Sequence, residues 1–104
     1  MQRIAERFKL RKGMEVEYKM RHDEIWPQMK TLMEEAGIRN YSIWLSGEDL
    51  FGYFEVDDVE NCIQIIKDSK VKKQWDKYMS DIIYPVEACL GNNLSNMQLM
   101  YTYE

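Results

Sequence analysis

Leu50 to Val56 is apolar on both sides of an extended chain. Leu50, Phe54 and Val56 fall on one face, Phe51 and Tyr53 on the other. A strand of this kind expects cover on both faces. The preceding run, Ile38 to Leu45, alternates, with Tyr41, Ile43 and Leu45 on one side and Ser42 and Trp44 on the other. Ser46-Gly47-Glu48-Asp49 between the two runs has hairpin length, so they pair antiparallel.

The rest of the chain must supply that cover. Residues 3–11 also alternate, with Ile4, Phe8 and Leu10 on one side and Arg7, Lys9 and Arg11 on the other; Glu6 interrupts the apolar side. Gly13 turns the chain into a first helix, read as two parts over 14–22 and 27–36. Proline has no N–H and pushes the residue before it toward extended geometry, so Trp26-Pro27 breaks the helix. Pro27 then suits the first position of the second part. Met29, Leu32, Met33 and Ala36 have the spacing of a core-facing stripe, and Gly37 suits a C-terminal cap.

Asp57-Asp58 offers an N-cap to a helix whose stripe is Val59, Cys62, Ile63 and Ile66. Ser69 can cap another, carrying Val71, Trp75, Tyr78, Met79 and Ile82 inward or partly inward. Pro85 ends that region, and 86–96 reads as a loop. Met97, Leu99, Tyr101 and Tyr103 alternate and predict a last strand. Strand, helix, strand, strand, helices, strand is the split βαβ, ferredoxin-like order. The expected class is α+β, a four-stranded antiparallel sheet with helices on one face. Its open face is rich in aromatic groups, which predicts a partner subunit or a deep pocket there, and a homodimer with sheets packed face to face.

With 104 residues and no linker or repeat, the chain is long enough for one domain and one modest core. A net charge of −4 argues against a nucleic-acid backbone or an anionic membrane as the main partner. No apolar run is long enough to span a bilayer, and the charged first residues contain no signal-peptide core. Cys62 and Cys89 lack metal-like or redox-like spacing, which makes a reducing cytoplasm the default setting.

The chemistry gathers just before the helix break. His22 is the single histidine. Tyr18 and His22, at i and i+4 on a helix, project from one face a turn apart. An imidazole with an ordinary pKa of about 6.5 is the natural group to give and take protons near neutrality. Aromatic rings and phenols offer a ligand flat apolar surfaces and hydrogen-bonding edges. No phosphate loop, metal cluster or nucleotide fingerprint is present. By pattern alone, Tyr18, Tyr41 and Trp75 fit packing positions equally well, and Arg21, Asp23 and Glu24 fit a solvated face.

Arg21-His22, Ile25-Trp26-Pro27, Asn40-Tyr41, Phe51 with Tyr53-Phe54-Glu55, and Trp75 with Lys77-Tyr78-Met79 together resemble the L-rhamnose mutarotase family, in order and over nearly the whole chain. The resemblance implies a dimeric α/β barrel that interconverts the anomers of L-rhamnose without a cofactor. It places the proton-transferring histidine at His22 and sugar contacts at Tyr18, Tyr41, Trp75 and Asp76. At Asp76 the pattern departs, because the second tryptophan of the family's pair is a carboxylate here. Two other readings use the same residues: a dimeric-barrel oxygenase or haem-degrading protein with His22 as axial ligand, and a non-catalytic sugar-binding module.

Overall fold

A computed structural model describes residues 1–84 and 97–103. The central strand is the one that is apolar on both faces. β1 (Gln2–Lys9), β2 (Arg39–Ser46) and β3 (Asp49–Val56) form an antiparallel sheet in the order β1-β3-β2. Leu50, Gly52, Phe54 and Val56 alternate inward and are buried, whereas Phe51, Tyr53 and Glu55 on the other face stay half-buried. Gly47, at φ +63°, makes the hairpin turn, a backbone region that favours glycine.

Four helices supply the cover: α1 (Glu15–Asp23), α2 (Pro27–Glu35), α3 (Val59–Asp68) and α4 (Lys70–Met79). Their ends follow local rules. Trp26 is extended, with ψ 138°, and Pro27 opens α2. Gly37, at φ +75°, closes it by donating to the Glu34 carbonyl, while Ile38 N–H reaches Met33. Asp58 accepts from Asn61 N–H at 3.0 Å, and Ser69 accepts from Lys72 N–H at 3.1 Å.

The buried residues form two groups on the helix-covered face of the sheet. One joins Leu10, Leu50, Tyr18, Leu32, Trp75 and Met79; the other joins Ile4, Phe54, Val56, Ala36 and Cys62. Glu6 and its cross-strand partner Gly52 lie in the row between them.

The expected fourth strand is corrected. Among the described residues the sheet has three strands, and 97–103 belongs to none. Met97, Leu99, Tyr101 and Tyr103 are all exposed, Tyr103 at 89 %. Alternation fixes which side chains share a face, but ladder hydrogen bonds require an adjacent backbone edge. The end of β1 is met instead by 82–84, where Arg11 N–H donates to the Ile82 carbonyl and Tyr84 N–H to that of Lys9. The class is therefore α+β, with a three-stranded antiparallel sheet and four helices among the described residues. The expected loop at 86–96, Pro85 and Cys89 lie outside the described residues. Among those described, no helix is long and apolar enough to cross a membrane.

Candidate active site

The helix break positions the imidazole. α1 ends one turn before Pro27, so His22 projects from a last turn that nothing continues. Its Nδ1 lies 3.1 Å from the Tyr18 carbonyl oxygen. A carbonyl only accepts, so in the neutral ring Nδ1 carries the proton and Nε2 keeps its lone pair. That is the tautomer of a general base.

Aromatic groups surround the ring. Tyr18 stacks on it with centroids 4.2 Å apart, and Trp75 meets it edge-on at 5.5 Å. Trp26 packs against Trp75 at 5.1 Å and against Tyr78 at 5.3 Å. This burial pushes the His22 pKa below its ordinary value; the hydrogen bond to the Tyr18 carbonyl and the charge of Asp23 oppose it. Burial raises the Tyr18 phenol, and the negative charge of Glu6 adds to the shift, so Tyr18 stays protonated across the working range.

Tyr18 and His22 stand on one wall of a cleft of ≈ 810 Å³, opposite Ile43, Leu45 and Leu50. The volume lies within the range of small-ligand sites, roughly 300–1,000 Å³. Tyr41 sits two residues from Ile43 on β2 and does not line this cleft. Its ring stacks on Phe54 at 5.5 Å, and its hydroxyl donates to Glu6 Oε1 at 3.1 Å; the residue is 39 % exposed. Trp75 is buried against His22, in the core rather than at an open surface. Asp76 is exposed and paired with Lys72. The fold thus brings Tyr18, His22 and Trp75 together, sets Tyr41 nearby on the sheet, and leaves Asp76 exposed on α4 beside Lys72.

The family model described as L-rhamnose mutarotase matches residues 3–102. The chain belongs to the L-rhamnose mutarotase family. An L-rhamnose mutarotase of Listeria monocytogenes is 40% identical over 85 residues, 80% of this chain and 81% of the relative. One from Lachnoclostridium phytofermentans is 38% identical over 100 residues, 88% of this chain and 95% of its own. The crystal structure of L-rhamnose mutarotase from Formosa agariphila superposes with a TM-score of 0.72 at 32% identity, covering 80% of each chain.

Two side chains beside the candidate site carried no site assignment from the sequence. Arg21, read as a candidate for the solvated face, is largely buried. Its Nε donates to Glu17 at 2.8 Å, and its Nη1 donates to the Tyr78 carbonyl at 2.7 Å and to Asp81 at 2.9 Å. It thereby ties the end of α1, next to His22, to the end of α4. The guanidinium holds the Asp81 carboxyl below its ordinary pKa. No local pattern signals partners 57 and 60 residues away. Glu6 is the second; its signal was the break it makes in the apolar side of β1. Among the described residues, no group of three His, Cys, Asp or Glu side chains is placed to hold a metal ion.

Proposed function

We propose that the protein is an L-rhamnose mutarotase, an isomerase that opens and recloses the sugar ring by general acid–base catalysis. The observation that carries this reading is His22, its Nδ1 engaged by a backbone carbonyl and its Nε2 left to accept a proton, beside a cleft in a chain of this family. Nε2 takes the proton of the anomeric hydroxyl as the bond from C1 to the ring oxygen breaks, and the imidazolium so formed passes that proton to the ring oxygen. The resulting aldehyde turns about its bond to C2. Addition of the ring hydroxyl to the other carbonyl face, with the protons returned, gives the second anomer. Atoms and charge balance within sugar and imidazole and no electrons are transferred, so the scheme requires no cofactor.

In this reading Tyr18, Tyr41 and Trp75 contact the sugar, and Asp76 exchanges its Lys72 partner for one of the sugar hydroxyls in place of a ring. Proton NMR saturation transfer between the anomers of L-rhamnose is expected to reveal exchange accelerated by the protein. Absence of acceleration would remove the activity. Asp76→Trp is expected to shift the ratio of exchange rates between L-rhamnose and a sugar differing at one hydroxyl by roughly 10-fold, the scale of one charged hydrogen bond. Its pH profile should stay unchanged. A common factor for every sugar would show that Asp76 does not read the substrate.

We further infer a homodimer that completes a dimeric α/β barrel, in a reducing cytoplasm that suits the buried free thiol of Cys62. Supporting the dimer are the half-buried Phe51 and Tyr53 on the sheet face away from the helices, and the exposed Met97, Leu99, Tyr101 and Tyr103. Sedimentation at micromolar concentration is expected to report about 25 kDa, twice the 12.6 kDa of one chain. A stable folded monomer would overturn this assembly.

A further inference from the structure

Glu6 is the one carboxylate of β1, and it turns into the helix-covered face between Ile4 and Phe8. A carboxylate there loses hydration and needs compensating partners. The sheet makes room for it at Gly52, directly opposite. A Cβ on Gly52 would stand 2.9 Å from Glu6 Oε1 and 3.0 Å from its Cγ, so the glycine is what lets the side chain lie across the middle strand. The partner arrives from the third strand. The register of β2 shifts between Arg39 and Ser42, where Asn40 takes the left-handed φ of +53° that asparagine tolerates better than most residues. Beyond that irregularity the Tyr41 phenol reaches Glu6 Oε1, with its ring fixed by parallel stacking on Phe54.

A phenol has one proton to donate. With that proton committed to Glu6, the Tyr41 oxygen can offer a ligand only its lone pairs. We propose that Glu6 is a positioning residue for sugar binding: by taking the Tyr41 proton it makes Tyr41 a hydrogen-bond acceptor for a sugar hydroxyl. The proposal rests on the sugar-site reading of Tyr41 and deepens it.

The groups facing Glu6 are Tyr41 from β2, Tyr18 from α1 and Lys72 from α4. Burial raises the Glu6 pKa, which the Tyr41 hydrogen bond and the Lys72 charge oppose. Below that pKa the carboxyl carries its own proton and the phenol is no longer held as an acceptor. Sugar affinity should therefore weaken as pH falls through the Glu6 transition.

The test measures the Kd of L-rhamnose by calorimetry and exchange rates by NMR, between pH 5 and 8, for four variants. Glu6→Met, which removes the acceptor and keeps the bulk, is expected to raise Kd about 5- to 10-fold while leaving kcat within about twofold. Tyr41→Phe should raise Kd equally, and the double variant no further. Glu6→Gln, whose amide oxygen still accepts, should restore Kd to within about threefold at neutral pH and should lack the weakening of Kd that wild type shows as pH falls through the Glu6 transition. His22 titrates in both, so the difference isolates Glu6. If Glu6→Met fails to fold, the Gln and Phe variants decide. Unchanged Kd on removing the acceptor, multiplying effects in the double variant, or identical pH dependence with Gln overturns the proposal. Binding without anomer exchange overturns the mutarotase reading alone, and the Kd pattern still decides Glu6. No binding at all overturns both.

Discussion

His22→Ala is expected to lower the rate of anomer exchange about 100- to 10,000-fold, the usual span of general acid–base help. The sugar should still bind within a few-fold, because the contacts proposed for Tyr18, Tyr41 and Trp75 remain. The pH profile gives a second reading of the same group. Neutral imidazole is the competent form, and burial among Tyr18, Trp75 and Trp26 lowers its pKa. The wild-type rate should fall as pH drops through the folded value, which lies below the ordinary 6.5; the variant should lack this limb. Stability follows the same sign. Between the folded pKa and the unfolded value near 6.5, the unfolded chain binds more protons, so wild type loses stability as pH falls through that window. Circular dichroism must accompany the assay, since the ring also packs. Wild-type rates in a well-folded variant would remove His22 from the chemistry. A larger loss from Tyr18→Phe would give the principal role to the phenol, against the burial that keeps it protonated.

What the sequence made legible was governed by local rules. The break at Trp26-Pro27, the Asp58 and Ser69 caps, the Gly37 stop and the hairpin at Gly47 depend on a few neighbouring residues, and each is present. The inward set of β3 was readable for the same reason, because its alternation is intrinsic to the strand. The last strand was misread because a strand's partner is not local: Met97 to Tyr103 alternates but joins no strand ladder among the described residues. At the site, the i, i+4 spacing gave the Tyr18–His22 stack. The carbonyl contact that selects the tautomer was not legible, since it concerns a ring nitrogen and a backbone atom rather than residue types. The importance of Glu6 was hidden as well. A charge on an apolar face looks like a flaw until Gly52 opposite and Tyr41 from a third strand are seen to accommodate it.

Trp75→Ala is expected to be the most destabilising single change considered, at about 3–5 kcal/mol, the range for truncating a buried large aromatic. Folded domains of this size are stable by only about 5–15 kcal/mol, so the variant would stand near the edge of folding. Trp75 is 6 % exposed, packs in the group that includes Leu10, Leu50 and Met79, and makes ring contacts with His22, Trp26 and Tyr78. Its loss leaves a cavity on the core side and frees the imidazole on the other. The indole is so enclosed that most of its surface is committed to packing. Trp75→Phe separates the two roles, because it keeps a ring against His22 while losing the second ring and the indole N–H. A packing role predicts that stability falls far more for Ala than for Phe, with Phe retaining exchange within about tenfold. A dominant sugar-stacking role predicts the reverse emphasis: Phe nearly as stable as wild type, yet with a rhamnose Kd raised as much as in any variant that folds. Denaturant midpoints with an unchanged slope give the stability difference directly. An Ala variant with the wild-type midpoint would show that Trp75 does not hold the core and would leave sugar contact as its remaining role.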